Sequence, residues 1–247
     1  MQNVNIKLYK DESAIINDAY DRIVSKIMLS KQKSGSGLFT VSGCDPNVGA
    51  TTTAINIAIS LADANWKTLF VDSDIRKGSD SKRLAQSTQY GLSDLLSGET
   101  GLEETLCATN IENLHYLPCG NLTSRSMPLI SSETFDNVLG TLDKLYDYII
   151  FDSPSLNTTA DAAIIASKTA GTILVAGYMQ TKTSHIKQAK IELDQLDAHL
   201  VGIILNSVPK KDYRRYVSNF DYFIKNPFIK KASGRKKRAT PRGNIEE

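Results

Sequence analysis

The sequence predicts a single α/β domain whose mostly parallel sheet is covered by helices on both faces. Six short apolar runs have the length and composition of buried strands, and segments with helical periodicity separate most of them. Such alternation is typical of parallel sheets, in which a helix crosses over between neighbouring strands. The predicted strands cover residues 38–42, 68–72, 114–118, 148–152, 172–176 and 201–206.

Helices are predicted between these strands and before the first of them. The four intervening helices cover residues 52–64, 133–146, 160–168 and 184–196. An amphipathic helix at 12–29 and a linker rich in Ser, Gly and Lys at 31–37 come before the first strand. The chain is therefore divided into an N-terminal helix with linker (1–37), a core domain (38–209) and a basic tail (210–247).

Composition places the chain among globular proteins. Its 247 residues are 41% apolar and 23% charged, which suits one large domain. No apolar run approaches the ~18 residues of a membrane-spanning helix, and the start lacks a secretory signal pattern, so we expect a cytoplasmic protein. Cys44, Cys107 and Cys119 are odd in number and lack metal-ligand spacing, which favours reduced thiols.

Charge is distributed unevenly along the chain. Residues 210–242 contain twelve Lys and Arg against two Asp, a net charge of +10, whereas residues 1–209 total −6. The tail is thus expected to meet an anionic partner, such as a membrane surface. Nucleic acid is disfavoured because no recognition fold accompanies the basic run. An apolar stripe at 213–224 favours packing of this segment on the domain, with a lipid-facing surface helix as the alternative.

A turn at residues 44–53 connects the first core strand to a helix. It contains an Asp-Pro pair, Gly49, and the hydroxyls of Thr51 and Thr52, where a phosphate cradle of backbone N–H groups requires them. The lysine expected after the glycine is replaced by Ala50. On its own the match is weak, because Gly, Pro and Thr also form ordinary strand-to-helix turns.

Three aspartates strengthen the interpretation of this turn as a phosphate loop. Asp72 and Asp74 follow the second core strand in VDSDIR, and Asp152 ends a later strand in YIIFD. The carboxyl ends of parallel strands meet at one edge of a sheet, so these carboxylates are expected beside the turn. A single such Asp would more often be a cap or turn residue. Three beside one loop predict a site for a magnesium nucleotide.

At these residues the chain resembles the bacterial tyrosine kinases of the CpsD/CapB capsular and exopolysaccharide family, within the deviant Walker group of P-loop NTPases. The resemblance covers nearly all of residues 12–209. Its main stretches are NVGATTTAINIAISLADANWKTLFVDSDIRKG (Walker A and A′), YDYIIFDSPS (Walker B), GLSDLLSGETGLEETL, NLHYLPCG, DAAIIASKTAGTILV and VGIILNSV. It implies one P-loop NTPase domain with ATP-dependent protein-tyrosine kinase activity, working with a membrane chain-length adaptor in polysaccharide export.

The resemblance also implies a role for each site residue. Thr51 would ligate Mg²⁺, and Asp74 and Asp152 would hold the metal shell. Asp72 would act on the incoming tyrosine hydroxyl or its water, and Asn206 would lie near the adenine. The implied catalytic set is Asp72, Asp74 and Asp152, and the implied nucleotide-binding set is Gly49, Ala50, Thr51, Thr52 and Asn206.

The loop departs from the family pattern at two positions. Ala50 replaces the lysine, and Asn47 stands where the family usually has glycine, so we expect a loop that is less charged and stiffer. Losing a charged hydrogen bond to phosphate costs about 1.5–3 kcal/mol. Losing a transition-state donor costs about a hundred- to a thousandfold in rate, so turnover should suffer more than binding. Arg76 or Lys77 could replace the charge, although a solvated basic turn is the favoured interpretation of both.

Two further departures concern assembly and phosphorylation. The family's first helix carries Glu-x-x-Arg-x-x-Arg for ring assembly, whereas this one has Asp18, Asp21 and Val24 in that region. The family's tail carries a tyrosine cluster. Here the candidate phosphorylation sites are Tyr213, Tyr216 and Tyr222, set among Arg and Lys.

Three functions compete on these grounds. The first is a tyrosine kinase in capsule biosynthesis whose ATP binding and autophosphorylation are weakened or lost. The second is a non-catalytic regulatory pseudokinase that forms a hetero-oligomer with an intact kinase or binds the adaptor. The third is a partitioning-type ATPase of the same superfamily. Whether the chain is an enzyme stays open at this point, because Ala50 opposes what the resemblance implies.

Overall fold

Eight strands form one sheet in the part of the chain that the computed structural model describes, residues 2–6, 14–77 and 88–216. The strands are β1 (Gln2–Val4), β2 (Leu38–Gly43), β3 (Thr68–Asp72), β4 (Cys107–Thr109), β5 (Leu114–Leu117), β6 (Tyr148–Asp152), β7 (Gly171–Gly177) and β8 (Leu200–Asn206). The helices are α1 (Ala14–Ser34), α2 (Ala50–Asp63), α3 (Leu92–Leu96), α4 (Leu102–Thr105), α5 (Ser126–Ile130), α6 (Glu133–Leu145), α7 (Ala160–Ser167), α8 (Thr183–Gln195) and α9 (Lys210–Tyr216).

The sheet is parallel except where β4 pairs antiparallel with β5. The strand order is β1-β4-β5-β3-β6-β2-β7-β8, which confirms the predicted mostly parallel α/β fold. Strand β2 lies between β6 and β7 near the middle of the sheet. Because β2 is the sixth of the eight strands, the turn after it emerges from the interior of the carboxyl edge, and open α/β sheets bind their ligands at that edge.

Alternate residues of each central strand pack on opposite faces. Phe39 and Ile150 belong to the apolar cluster that contains α1 and α2 residues. Leu38, Ile149 and Phe151 belong to the cluster that contains α6 residues on the other face. This period of two explains why the strands are apolar throughout, since both faces are buried.

The predicted boundaries hold best for strands that end in aspartate. Strands β3 and β6 coincide with the predicted runs, and the other predicted strands and the helices between them shift by one or two residues at an end. Helix α1 is longer than predicted, because it continues to Ser34 through half of the expected linker. The reason is tertiary: the Lys31 ammonium donates to the Asp147 carbonyl at 2.5 Å and lies 4.5 Å from the ring centre of Tyr148.

Five short elements were not predicted, namely β1, β4, α3, α4 and α5. Strands of three residues carry no periodic signal, and β1 and β4 are held by long-range pairing with each other. Cys44, Cys107 and Cys119 are buried free thiols. Among the described residues, no helix combines the length and the apolarity that crossing a membrane requires.

Candidate phosphate-binding site

The loop between β2 and α2 follows a backbone path that few residues adopt. Gly49 caps α2 with a left-handed backbone (φ +83°), and its carbonyl accepts from the Thr53 amide at 3.0 Å and the Thr53 hydroxyl at 2.9 Å. Asn47 is also left-handed (φ +60°). Asn tolerates this region better than most residues do, so the loop keeps a glycine-like path at position 47. The sequence alone did not show this compensation.

The loop is closely packed against its neighbours. A Cβ at Gly43 would lie 2.7 Å from the Asp45 carbonyl oxygen, so the start of the turn requires glycine. Asn206, at the end of β8, donates from Nδ2 to the Val48 carbonyl at 2.9 Å. A Cβ at Gly49 would come within 2.3 Å of that same nitrogen. Asn206 thus clamps the loop from the side, and it also lines a separate cavity of about 400 Å³ between α1 and α9.

An open cavity of about 460 Å³ lies on the loop. The cavity is lined by loop residues and by Ala50 and Thr51 at the start of α2. Ser153–Ser155 and Lys77 complete the lining. Thr52 is exposed and is not part of the lining, so the structure brings only one of the two predicted hydroxyls into the cavity. The serines after β6 were not among the predicted site residues, although their position directly after Asp152 was a usable signal.

The three predicted aspartates converge at the adjoining strand ends. Asp72 and Asp152 are register partners on β3 and β6 and are 3% and 0% exposed. Asp74 is 3% exposed, and its amide donates to Asp72 Oδ1 at 3.2 Å. None of the three lines the cavity directly, but Ser153 follows Asp152 into the lining. Buried carboxylates beside a loop of this kind are hard oxygen donors suited to Mg²⁺.

Several hydrogen bonds at the strand ends are accepted by backbone carbonyls rather than by the carboxylates. The Ser73 amide and hydroxyl both donate to the Asp152 carbonyl, at 2.9 Å and 2.8 Å. The Ser42 hydroxyl donates to the Pro154 carbonyl at 2.6 Å. Burial first, and then the negative charge of Asp72, hold the pKa of Tyr116 well above its usual value. The acids are therefore held in position by backbone contacts.

The basic turn after β3 is exposed, as the favoured interpretation of Arg76 and Lys77 expected, but both side chains also form ion pairs with buried carboxylates. Arg76 makes two hydrogen bonds, at 2.5 Å and 3.0 Å, to the buried carboxylate of Asp161. Burial alone would raise the pKa of Asp161, but the Arg76 hydrogen bond and charge outweigh it and lower that pKa. Lys77 instead places its Nζ 2.8 Å from Oδ2 of Asp74.

A second contact on the loop joins residues far apart in sequence. His185 Nδ1 lies 2.7 Å from Asp45 Oδ1, at the edge of an open cavity of about 560 Å³. Burial raises the pKa of Glu192 in the same cavity. Burial first, and then the Asp45 charge, raise the pKa of Cys44 to about 11, so this thiol stays protonated at neutral pH. No sequence pattern indicated the Asp45–His185 pair.

The start of the predicted tail packs on the domain. Tyr213 in α9 is half-buried and lines the 400 Å³ cavity together with Ile15 and Tyr20 of α1. This agrees with the packing interpretation for the first residues of the apolar stripe. The side chain of Tyr216, and Tyr222 with the rest of the basic tail, lie outside the described residues.

The residues present fit a phosphate group with a Mg²⁺ ion that the phosphates help to hold. Among the described residues, no cluster of three or more Asp, Glu, His or Cys side chains is arranged to hold a metal ion by itself, and Mg²⁺ usually takes only one or two carboxylates beside phosphate oxygens and water. The amino end of α2, a helix of 14 residues, faces a cavity formed by a left-handed loop. Three residues with hydroxyl groups, Thr51, Ser153 and Ser155, line that cavity, and three buried carboxylates adjoin it. Backbone donors for phosphate and oxygen donors for Mg²⁺ are therefore together at one sheet edge.

Known proteins are similar to this chain in sequence. A sequence model described as an AAA domain matches residues 24–185. The tyrosine-protein kinase CpsD of Streptococcus pneumoniae serotype 4 is 37% identical over 191 residues, covering 76% of this chain and 83% of the relative. The putative tyrosine-protein kinase CapB of Staphylococcus aureus is 29% identical over 194 residues, covering 78% and 85%.

Solved structures agree on the fold. The chimerical protein CapA2B2 matches with a TM-score of 0.76 and 28% identity over 85% of this chain and 95% of its own. The cell division ATPase MinD of Pyrococcus furiosus matches with a TM-score of 0.59 at 22% identity, over 73% of this chain and 79% of its own, which supports the P-loop NTPase fold alone. Together with the fold and the loop geometry, these similarities show that the chain belongs to the CpsD/CapB family of bacterial tyrosine kinases.

Proposed function

We propose that this chain binds a magnesium nucleotide at the carboxyl edge of the sheet and acts as a tyrosine-kinase-like subunit in capsular or exopolysaccharide biosynthesis. The observation that supports this most is the 460 Å³ cavity on the β2–α2 loop, beside the buried Asp72, Asp74 and Asp152. Kinship with CpsD and CapB supports the biological role.

The role proposed for each site residue follows from its position relative to the cavity. The loop amides near Gly49 and Ala50 would hold phosphate oxygens, since they begin α2 and face the cavity. Of the two predicted threonines, Thr51 is the one that lines the cavity, and we assign it to Mg²⁺ together with Asp74 and Asp152. A bound Mg²⁺ would neutralise charge on the phosphates.

Two predicted residues receive sharper roles. Asp72 lies beside Asp152 in the strand register, and we propose that it accepts the proton of the incoming tyrosine hydroxyl or of its water. Asn206 holds the Val48 carbonyl. We propose that Asn206 sets the loop path as well as lying near the adenine, while the exposed Thr52 contributes through its backbone amide.

Position 50 limits the expected activity. Ala50 lines the cavity with a methyl group, so the α2 end offers amide dipoles but no charge there. Phosphoryl transfer depends almost wholly on positioning and charge stabilisation. We therefore propose nucleotide binding that is weakened and tyrosine phosphorylation that is low or lost.

A regulatory pseudokinase is the second candidate, and Ala50 is the observation that favours it. Such a subunit would keep the fold and modulate an intact kinase or a membrane chain-length adaptor as a hetero-oligomer.

We propose that the protein lies in the cytoplasm at the inner face of the membrane, with the +10 segment 210–242 as the part that meets anionic lipid. The partitioning-type ATPase has no comparable support, because the MinD likeness extends to the fold alone.

A labelled-ATP assay tests the enzymatic proposal. The purified chain is incubated with Mg²⁺ and ATP, alone and with the cytoplasmic segment of a candidate adaptor encoded nearby. Weak tail phosphotyrosine that rises with the adaptor supports the kinase. Nucleotide binding without phosphotyrosine or hydrolysis in either condition supports the pseudokinase instead.

A further inference from the structure

We infer that Lys77 supplies the positive charge that position 50 lacks, by moving from Asp74 to the nucleotide phosphates when a metal ion takes up Asp74. This rests on the proposed nucleotide binding in the 460 Å³ cavity, and it identifies the cation of that site. The sequence left Arg76 and Lys77 as two candidates for this charge, and the roles proposed above for Thr51 and the three aspartates do not decide between them.

Lys77 is the one cationic side chain in the described part of the cavity lining. The remaining described lining consists of backbone, hydroxyls, small side chains and the acidic Asp45. The Lys77 side chain is 58% exposed, so its long flexible stem can swing across the open cavity without unpacking the core. Because Ala50 carries only a methyl group, it leaves the space beside the α2 end clear for an ammonium group.

The neighbouring Arg76 cannot take this role without a larger loss. Its guanidinium holds Asp161 through two hydrogen bonds, and Asp161 is buried. Releasing Arg76 would leave a buried carboxylate unpaired, which is costly. Lys77 makes a single ion pair to Asp74, so one contact has to be exchanged.

The ion pair between Lys77 and Asp74 explains how the movement of Lys77 would be controlled. Asp74 is 3% exposed, and we assign it to the metal shell. An ammonium 2.8 Å from Oδ2 occupies a position that a metal ion on that oxygen would need. A metal ion held by Asp74 would repel Lys77, and nucleotide phosphates in the cavity would offer the ammonium group a new anionic partner. In the absence of metal, Lys77 neutralises the buried Asp74 and keeps the strand end stable.

The test compares four chains by calorimetry with ADP and Mg²⁺: wild type, Lys77→Met, Ala50→Lys and the double variant. We expect Lys77→Met to weaken binding by about 10- to 100-fold in the wild-type background. With lysine restored at position 50, the same change should cost less than about threefold, because one charge would replace the other. Mn²⁺ binding without nucleotide, followed by electron paramagnetic resonance, should become tighter in Lys77→Met.

Lys190→Met is the matched control, since Lys190 also pairs with a carboxylate, Asp194 Oδ2 at 2.5 Å, but lies on the surface of α8. It should leave the affinities for ADP and for Mn²⁺ unchanged.

Equal losses of ADP affinity from Lys77→Met in the two backgrounds, or a loss below about threefold in the wild-type background, would overturn the replacement of the missing charge by Lys77 while leaving nucleotide binding intact. Unchanged or weaker Mn²⁺ binding would overturn the exchange at Asp74. A wild-type chain that binds no ADP at millimolar concentration would refute both this inference and the proposed function.

Discussion

The two ends of the parallel sheet carry different chemistry. At the carboxyl end, Asp72, Asp74 and Asp152 are buried beside an open cavity, and Lys77 pairs with Asp74 from an exposed turn. Strand and loop backbone contacts hold these acids in place. Such an arrangement concentrates negative charge where a metal ion would relieve it.

At the amino end, polar and aromatic groups satisfy one another. Lys31 contacts both the Asp147 carbonyl and the Tyr148 ring, and Trp66 packs edge-on against Tyr148 with ring centres 5.6 Å apart. His115 Nδ1 lies 2.7 Å from the Tyr146 hydroxyl. The contrast indicates that the amino end contributes stability and the carboxyl end contributes ligand binding.

The largest expected effect comes from restoring charge at the carboxyl end. Ala50→Lys adds an ammonium group at the start of α2, and it should raise tail tyrosine phosphorylation by about a hundred- to a thousandfold if the acids are arranged for chemistry. Phosphotyrosine blotting and mass spectrometry after incubation with ATP and Mg²⁺ provide the measurement. Improved ADP affinity with no phosphotyrosine would show that the site has lost more than one residue and would favour the pseudokinase.

The next effect is on stability at the Arg76–Asp161 pair. Arg76→Gln leaves the buried Asp161 carboxylate without its charged partner, so we expect a loss of about 1–3 kcal/mol in the free energy of unfolding, measured with urea. The matched control is Arg22→Gln, because Arg22 pairs with Asp18 at 2.8 Å on the exposed face of α1. That change should cost less than about 0.5 kcal/mol. Equal losses of unfolding free energy in Arg76→Gln and Arg22→Gln would contradict the claim that burial of the carboxylate strengthens the contribution of its ion pair.

A smaller loss is expected at the amino end. Lys31→Met removes a hydrogen bond and a cation–π contact, and it should lower the free energy of unfolding by about 1 kcal/mol. Lys33→Met, on an exposed position of the same helix, serves as the control and should be nearly neutral. Nucleotide affinity should stay unchanged in both. A loss of affinity in Lys31→Met would break the separation between the two ends.

The smallest effects concern pH and differ between the ends. Burial first, and then Lys67, lower the pKa of His115 below 6.5, so the folded state binds fewer protons and stability should fall as pH drops below about 6.5. The pKa of Asp161 is lowered from its ordinary value of 3.8, so its carboxylate stabilises the folded state above that pH. This stabilisation is lost as the pH falls through the pKa of Asp161 in the folded state. Urea unfolding measured across pH should show that His115→Gln reduces the loss of stability below about pH 6.5. Arg76→Gln should reduce the loss of stability below the ordinary Asp161 pKa of 3.8. Unaltered profiles would disprove these assignments.

The sequence predicted the fold and the meeting of the strand-end aspartates better than it predicted the side-chain contacts around them. Strands β3 and β6 were predicted at their observed bounds, because each is a continuous apolar run that stops at an aspartate. The meeting of Asp72 with Asp152 followed from parallel topology alone. The partners of Arg76 and Lys77 depend on the side-chain directions of a tight turn, which carry no periodic signal. The Asp45–His185 contact joins positions 140 residues apart.

Calorimetry with ADP and Mg²⁺ on the wild type, Asp152→Asn and Lys31→Met tests the central claim most directly. Asn has the same shape as Asp but lacks its charge, and thermal unfolding would confirm that the variant is folded. We expect saturable binding by the wild type, binding about 10- to 100-fold weaker in Asp152→Asn, and wild-type affinity in Lys31→Met. No heat from the wild type at millimolar ADP, or equal weakening by the two variants, would contradict a nucleotide site at the carboxyl end of the sheet.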